Sequence, residues 1–165
     1  MNEVYLCLGG NLGTCIETFT KSILLLEEKN ITICLKSSIY TSSAWGMCDA
    51  PDFYNQAVKI KTSLHAWQLL CVLHDIEKHL GRERNSVERY ESRIIDMDIL
   101  FFNKEVIESE SLQIPHPRLH RRIFVLEPMN EIAPEFVHPK LNKTISSLLR
   151  ECTDTGITRK VLHAF

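Results

Sequence analysis

No arginine occurs before residue 82 in this 165-residue chain, and nine occur from there on. Seven of them, Arg82, Arg84, Arg89, Arg93, Arg118, Arg121 and Arg122, fall within residues 82–122. Other features are missing altogether. No apolar run approaches membrane-spanning length, so a membrane partner is not expected. The start, Met-Asn-Glu-Val-Tyr-Leu, has no basic n-region and no long apolar segment, so no signal peptide is expected. The six cysteines form no Cys-x-x-Cys pair, which argues against zinc, and a chain of this size does not depend on disulfide staples. They are expected to be reduced, mostly buried thiols in the cytoplasm. No repeat and no Gly/Ser/Pro linker divides the chain, so one domain over residues 1–165 is expected. A net charge of -2 excludes a strongly basic protein held to nucleic acid by bulk charge, and 44% hydrophobic residues exclude an acidic disordered chain.

What is present reads as alternating strands and helices. Residues 3–8 read as a buried strand, and Gly9-Gly10-Asn11-Leu12-Gly13 as a turn. Ile16, Phe19, Ile23 and Leu26 have helical spacing, which predicts a helix from Thr14 to about Lys29. Residues 31–40 predict a second strand with Ile31, Ile33 and Leu35 on one face, residues 41–52 a loop, and residues 53–62 a third strand. Leu69, Leu73, Ile76 and Leu80 stripe a second helix over 64–80, closed by Gly81. Residues 82–92 form a polar loop and 93–103 a fourth strand. A short helix is expected after Pro115-His116-Pro117 and another from Thr144 to Arg150. The order β-α-β-β-α-β is a ferredoxin-like α+β arrangement: a largely antiparallel sheet with helices packed mainly on one face.

Asp96 and Asp98 are the sharpest chemical signal. Two residues apart on a strand, they leave the same face, with Cα atoms about 6.5–7 Å apart. Their neighbours Ile94, Ile95, Met97, Ile99, Leu100, Phe101 and Phe102 are apolar, so the carboxylates repel each other and lose hydration. A cation or arginine partners would offset both costs, and an all-oxygen donor set suits a hard ion such as Mg2+. The plainer alternative is a polar sheet edge. The arginine loop before the strand favours a site: guanidinium groups fold over polyphosphate through forked hydrogen bonds. Glu83, Glu88 and Glu91 are interleaved there, so a solvated salt-bridged loop is the competing reading. His116, stiffened between prolines, is a candidate phosphate donor. The sequence has no G-x-x-x-x-G-K-[ST], no G-x-G-x-x-G followed by a suitably placed acid, and no kinase or hydrolase nucleophile signature.

Several segments, taken together and in order, resemble the 6-hydroxymethyl-7,8-dihydropterin pyrophosphokinases of folate biosynthesis. They are Tyr5 to Gly13; Ser38 to Asn55 with Trp45-Gly46 and Pro51-Asp52-Phe53-Tyr54-Asn55; Ile76-Glu77 through Gly81-Arg82-Glu83-Arg84; Arg93-Ile-Ile-Asp-Met-Asp-Ile-Leu100; and Ile114-Pro-His-Pro-Arg-Leu119 through Arg122-Ile-Phe124-Val-Leu-Glu-Pro128. The resemblance implies transfer of the terminal diphosphate of ATP to the pterin hydroxymethyl group, with AMP released. It implies two Mg2+ ions at Asp96 and Asp98, with Arg82 and Arg93 also catalytic. By the same resemblance His74, Glu77, Arg82, Arg84, Arg93, His116 and Arg122 contact ATP, and Ile99, Leu112 and Gln113 line its adenine. Ser42, Ser43, Trp45, Phe53, Asn55, Tyr90 and Phe124 belong to the pterin pocket. Aromatic faces suit a flat heteroaromatic ring, although core packing is the ordinary role of Phe53 and Phe124. Two positions depart from the family pattern. His74 stands where glutamine is frequent, and Arg89-Tyr-Glu-Ser-Arg93 replaces R-W-G-P-R. The expected partners are ATP and the pterin alone, with a monomer favoured over an oligomer. The competing functions are another Mg2+-dependent nucleotide phosphotransferase and a non-catalytic ferredoxin-like anion- or RNA-binding module.

Overall fold

The computed structural model describes residues 1–43, 51–82 and 92–161. In chain order the elements are β1 (Asn2–Gly10), α1 (Cys15–Glu28), β2 (Thr32–Lys36), β3 (Tyr40–Ser42), β4 (Phe53–Thr62), α2 (Ala66–His79), β5 (Asp96–Phe102), β6 (Ile107–Glu108), β7 (Gln113–Ile114), α3 (Ile123–Ile132), α4 (Ile145–Glu151) and β8 (Thr158–Lys160). The main sheet runs β5-β1-β4-β3-β8, with β2 also on β4, and every pairing among these strands is antiparallel. This is the ferredoxin-like βαββαβ order, extended by α3, α4 and β8.

The helices stop where the sequence allows a left-handed residue. Asn30 has φ 58 just past α1, and Gly81 has φ 94 just past α2. At the start of α4, Thr144 Oγ1 accepts a hydrogen bond from Ser147 N at 3.1 Å.

Alternation along the strands sorts the core into two layers. Val4, Leu6 and Leu8 of β1 pack with Phe19, Ile23 and Leu26 of α1 and with Leu69, Leu73 and Ile76 of α2. Tyr5 and Cys7 point the other way, toward Val125, Leu126 and Met129 of α3 and Ile145 and Leu148 of α4. The two longest helices therefore share one face, as expected, and α3 and α4 back the other. Each Leu- or Phe-sized side chain buried in these layers contributes roughly 1.5–3 kcal/mol.

Strand β5 carries a bulge. Ile99 pairs with Leu6 and Phe101 with Tyr5, so Leu100 is the extra residue, and Leu100 and Phe101 both join the α3/α4 layer. Before the bulge the alternation is regular. Met97 and Ile99 lie with α1 and α2, while Asp98 pairs with Cys7 and Asp96 with Gly9 on the opposite face.

Three expectations are corrected. The second strand is not continuous over 31–40. Its register slips between Ile33 and Leu35, leaving Leu35 48% exposed rather than inward. Ser37 then bonds Ala57 through both N and Oγ at 2.9 Å, and the chain re-enters the sheet as β3. Thr41 and Ser42 consequently belong to a strand, not a loop. The cysteines are not mostly buried. Cys7 and Cys15 are, but Cys34 and Cys71 are exposed and Cys152 is half-buried; all five are free thiols, and Cys48 lies outside the described residues. The β6–β7 ribbon and β8 were not anticipated, because strands this short carry too little alternation to read.

Candidate active site

The centre of the site is the start of β5. Asp98 makes no hydrogen bond or ion pair among the described residues, and its carboxyl is pushed up to about 7 by burial and by the adjacent Asp96 charge. Asp96 is neutralised by arginine. Arg93 Nη1 lies 2.8 Å from its Oδ2, and Arg82 Nη1 contacts its Oδ1. Arg82 also pairs with Glu77 at 2.9 Å. Burial alone would lower the Arg82 pKa, but Asp96 and Glu77 outweigh it, so this guanidinium stays charged.

The Gly9–Gly13 turn holds Arg93 in place, a role that the bare turn reading did not assign it. Buried Asn11 accepts from Arg93 N at 2.8 Å through Oδ1, and its own N donates to Arg93 O at 2.9 Å. Asn11 Nδ2 donates to Ser92 Oγ at 3.0 Å. Gly10 lets the two backbones meet: a Cβ there would lie 2.5 Å from Ile94 O. Gly10→Ala is therefore expected to force β1 and the Arg93 segment apart. The melting temperature should fall by several degrees, and both it and activity should fall further than at Gly13→Ala, where a Cβ meets nothing within 4 Å and only the left-handed φ of 67 costs about 1 kcal/mol. Differential scanning fluorimetry with a turnover assay checks this; equal losses at the two positions would refute it.

Two cavities meet at the carboxylates. One, of about 310 Å3, is lined by Ser42, Ser43, Phe53, Asn55 and Phe124, with Cys7, Gly9, Arg93, Arg118, Arg121, Arg122, Val125 and Asp154 completing the wall. The other, of about 330 Å3, is lined by Leu70, His74, Met97, Ile99, Glu110, Ser111, Leu112, Gln113, His116 and Pro117. Asp96 and Asp98 border both. In the first, Asn55 Nδ2 donates to Ser42 Oγ at 3.3 Å, and both residues are buried on neighbouring strands. The guanidinium of Arg93 lies 5.6 Å from the Phe53 ring centre, and that of Arg122 lies 5.6 Å from the Phe124 ring centre.

His116 lines the second cavity from the loop before α3. Burial, then Arg122, lower its pKa to about 4, so it is neutral near pH 7. Its Nδ1 accepts from Arg118 N at 3.2 Å, which leaves Nε2–H as a donor. Glu77 is only 1% exposed, and its Oε1 accepts from Met97 N at 2.7 Å.

The predicted residues thus separate into two groups. Ser42, Ser43, Phe53, Asn55 and Phe124 line the first cavity, while His74, Ile99, Leu112, Gln113 and His116 line the second. Arg93 and Arg122, implied as ATP contacts, line the first cavity at its border with the carboxylates. Arg82 and Glu77 line neither; they sit behind Asp96 and Met97. Trp45, Arg84 and Tyr90 lie outside the described residues. Sequence reasoning missed Asn11, although it stands inside the quoted turn motif. It also missed Arg118 and Arg121, visible only as members of the arginine cluster, and Asp154, which carried no signal at all.

The donor set suits a hard cation. Two carboxylates leave one strand face, one of them without a protein partner among the described residues and held partly protonated by its neighbour; a divalent ion would relieve that repulsion.

Comparison with known proteins gives the family and the fold. The family profile described as 7,8-dihydro-6-hydroxymethylpterin-pyrophosphokinase matches residues 5–134. The folic acid synthesis protein fol1 of Pneumocystis carinii is 42% identical over 154 residues, 93% of this chain but 20% of that protein. The 2-amino-4-hydroxy-6-hydroxymethyldihydropteridine pyrophosphokinase of Aquifex aeolicus is 39% identical over 153 residues, covering 93% of this chain and 94% of its own length. Its Bacillus subtilis counterpart is 42% identical over 135 residues, covering 81% and 80%. The chain therefore spans a fifth of the fungal protein and most of the bacterial ones. A solved Plasmodium falciparum HPPK-DHPS with pteroate superposes with a TM-score of 0.71 at 20% identity, over 91% of this chain and 42% of that one, and so shares the fold.

Proposed function

Because the chain belongs to the 7,8-dihydro-6-hydroxymethylpterin pyrophosphokinase family, we propose that it transfers the diphosphate of ATP to the hydroxymethyl group of 6-hydroxymethyl-7,8-dihydropterin, releasing AMP, in folate synthesis. The observation that carries this reading is the pair of cavities sharing Asp96 and Asp98. A reaction between two small molecules needs two adjoining pockets with the charge-handling groups at their border.

The pterin occupies the first cavity. Its flat ring stacks on Phe53 and Phe124, and Asn55 and Ser42 offer hydrogen bonds to its polar edge, with Ser43 at the rim. Trp45 and Tyr90, which the family resemblance assigns to the pterin, lie outside the described residues. ATP occupies the second cavity, its adenine against Ile99, Leu112 and Gln113 and its phosphates running past His74 and His116 toward Asp96. The substrate hydroxyl oxygen attacks the β-phosphorus and gives its proton to Asp96 or Asp98 at the border of the cavities, the bond from that phosphorus to the α–β bridging oxygen breaks, and AMP leaves with the oxygen. Two Mg2+ ions on Asp96 and Asp98, with ATP phosphates completing their shells, would neutralise the charge on the transferring group and its flanking oxygens.

The protein's own contribution is positioning and electrostatics. Arg93 and Arg122 stand at the border where the diphosphate crosses from one cavity to the other. Arg82 fixes Asp96; Arg84, which the family resemblance assigns to ATP, lies outside the described residues. Neutral His116 donates Nε2–H to a phosphate oxygen without adding a titrating charge. Glu77 serves ATP by holding Arg82 and Met97 in place. We read the chain as one domain over residues 1–165, monomeric and cytoplasmic, acting on ATP and the pterin with neither nucleic acid nor membrane as partner; no described helix is long and apolar enough to cross a membrane.

The test is direct. Purified protein with Mg2+, ATP and the hydroxymethyl pterin should release AMP and pterin diphosphate in equal amounts. Release of ADP instead would favour another nucleotide phosphotransferase. Tight RNA binding with a steep salt slope and no turnover would favour the binding module.

A further inference from the structure

The family profile ends at residue 134, yet a carboxylate 20 residues farther on lines the pterin-side cavity. We infer that Asp154 is a positioning residue for pterin recognition: it holds the first turn of α3, and so Arg122 and Phe124, against the cavity. The inference rests on the pyrophosphokinase reading above.

Helix α3 starts at Ile123 without help from its own cap, since Arg122 at the N-cap position makes no side-chain capping bond. Its first backbone N–H needs an outside acceptor. Asp154 supplies it: Oδ2 accepts from Ile123 N at 3.0 Å. Its Oδ1 accepts from Gly156 N at 2.9 Å, which locks the carboxylate in a tight turn. The turn is closely packed, because a Cβ on Gly156 would lie 3.1 Å from Asp154 Oδ1 and 3.5 Å from the Ile123 side chain. A negative charge at a helix N-terminus is also favourable electrostatically. Among the described residues Asp154 forms no ion pair with Arg118, Arg121 or Arg122, although all share its cavity wall. Both oxygens are committed to backbone.

The same segment then reaches the opposite wall. Thr158 pairs with Ser42 as β8 joins β3, and Ser42 is hydrogen-bonded to Asn55. Residues 154–160 therefore tie the Phe124 wall of the pterin cavity to its Ser42–Asn55 wall. No residue of this segment lines the ATP-side cavity. Loss of the tie should weaken the pterin selectively.

The experiment measures KM for both substrates and equilibrium pterin binding by fluorescence in wild type, Asp154→Ala and Asp154→Asn, with melting temperatures recorded in parallel. Asp154→Ala is expected to raise the pterin KM and Kd about tenfold, the scale of a lost charge-assisted hydrogen bond, with the ATP KM within twofold of wild type. Asp154→Asn keeps one side-chain oxygen for Ile123 N but turns its amide N–H2 toward Gly156 N, so it should recover only part of the loss. Unchanged pterin binding in Asp154→Ala, equal weakening of both substrates, or an asparagine variant no better than alanine would overturn the inference while leaving the parent activity intact. A wild-type protein that neither binds the pterin nor releases AMP overturns the pyrophosphokinase reading and this inference with it.

Discussion

Asp98→Asn is expected to lower turnover by about a thousandfold or more while raising the melting temperature of the metal-free protein at pH 8. The first effect follows from removing one of two carboxylates at the junction of the cavities; loss of a single preorganised electrostatic group at a reacting centre costs about 10²–10³, and a metal-binding carboxylate also orients the ion. The second follows from linkage. An unfolded aspartate titrates near 3.9, whereas Asp98 in the fold is pushed up to about 7 by burial and by Asp96. The folded state therefore binds this proton more tightly than the unfolded chain does. Between about pH 4 and pH 7 the unfolded state is already ionised while the fold still holds the proton, so stability falls as pH rises through that window. Above it the fold carries the full penalty of a buried, repelled charge. Asparagine has no charge to lose, so its advantage should be present at pH 8 and shrink toward pH 4. Melting curves in EDTA across that range, beside an AMP-release assay, check both halves. An Asp98→Asn protein that keeps its activity removes Asp98 from the metal assignment; one that is active and less stable at pH 8 also refutes the electrostatic account.

A destabilised carboxylate pair of this kind is the part of the candidate site most legible in sequence. Asp96 and Asp98 stand two apart in an apolar strand, and period-two alternation alone places both on one face. The helices were equally legible, because Leu69, Leu73 and Ile76 repeat at helical spacing and Gly81 ends the run with positive φ. The failures share a physical cause, since each depends on contacts distant in sequence. Leu35 reads as inward until the register slip against β4 turns it out. Regular alternation over a 93–103 strand would put Leu100 and Phe101 on opposite faces, and the bulge against β1 puts both in one layer. Asn11 looks like a turn residue until its partner, Arg93, is brought beside it from 82 positions away. Asp154 is one more acidic residue in a polar stretch until the end of the chain folds back onto α3. Local pattern carries local geometry, whereas the residues that fix one catalytic segment against another are chosen by pairings that no window of sequence contains.

Glu77 is the clearest case in which placement adds a bracing role to an expected one, and its replacement should have the largest effect on stability. By family resemblance it contacts ATP, but its side chain is 1% exposed and its Oε1 receives both Met97 N at 2.7 Å and Arg82 at 2.9 Å. The end of α2 is thereby fastened to the start of β5. Arg82 follows directly from that helix end, its N donating to Glu77 O at 3.0 Å past the positive-φ Gly81, and it reaches across to Asp96. Glu77→Ala leaves a buried backbone donor without its acceptor and a mostly buried guanidinium without one of its two carboxylates. Removing one partner of a buried pair costs about 3–5 kcal/mol. For a protein of this size that corresponds to a fall of roughly 6–20 °C in melting temperature. Glu77→Gln keeps an oxygen for Met97 N and should lose distinctly less. Activity should fall in both, because Arg82 and Asp96 lose their backing. If Glu77 instead served ATP by direct contact, the alanine variant would melt within a degree or two of wild type and show its defect in the ATP KM alone. Thermal melts of the two variants, read beside ATP and pterin KM values, separate the two roles.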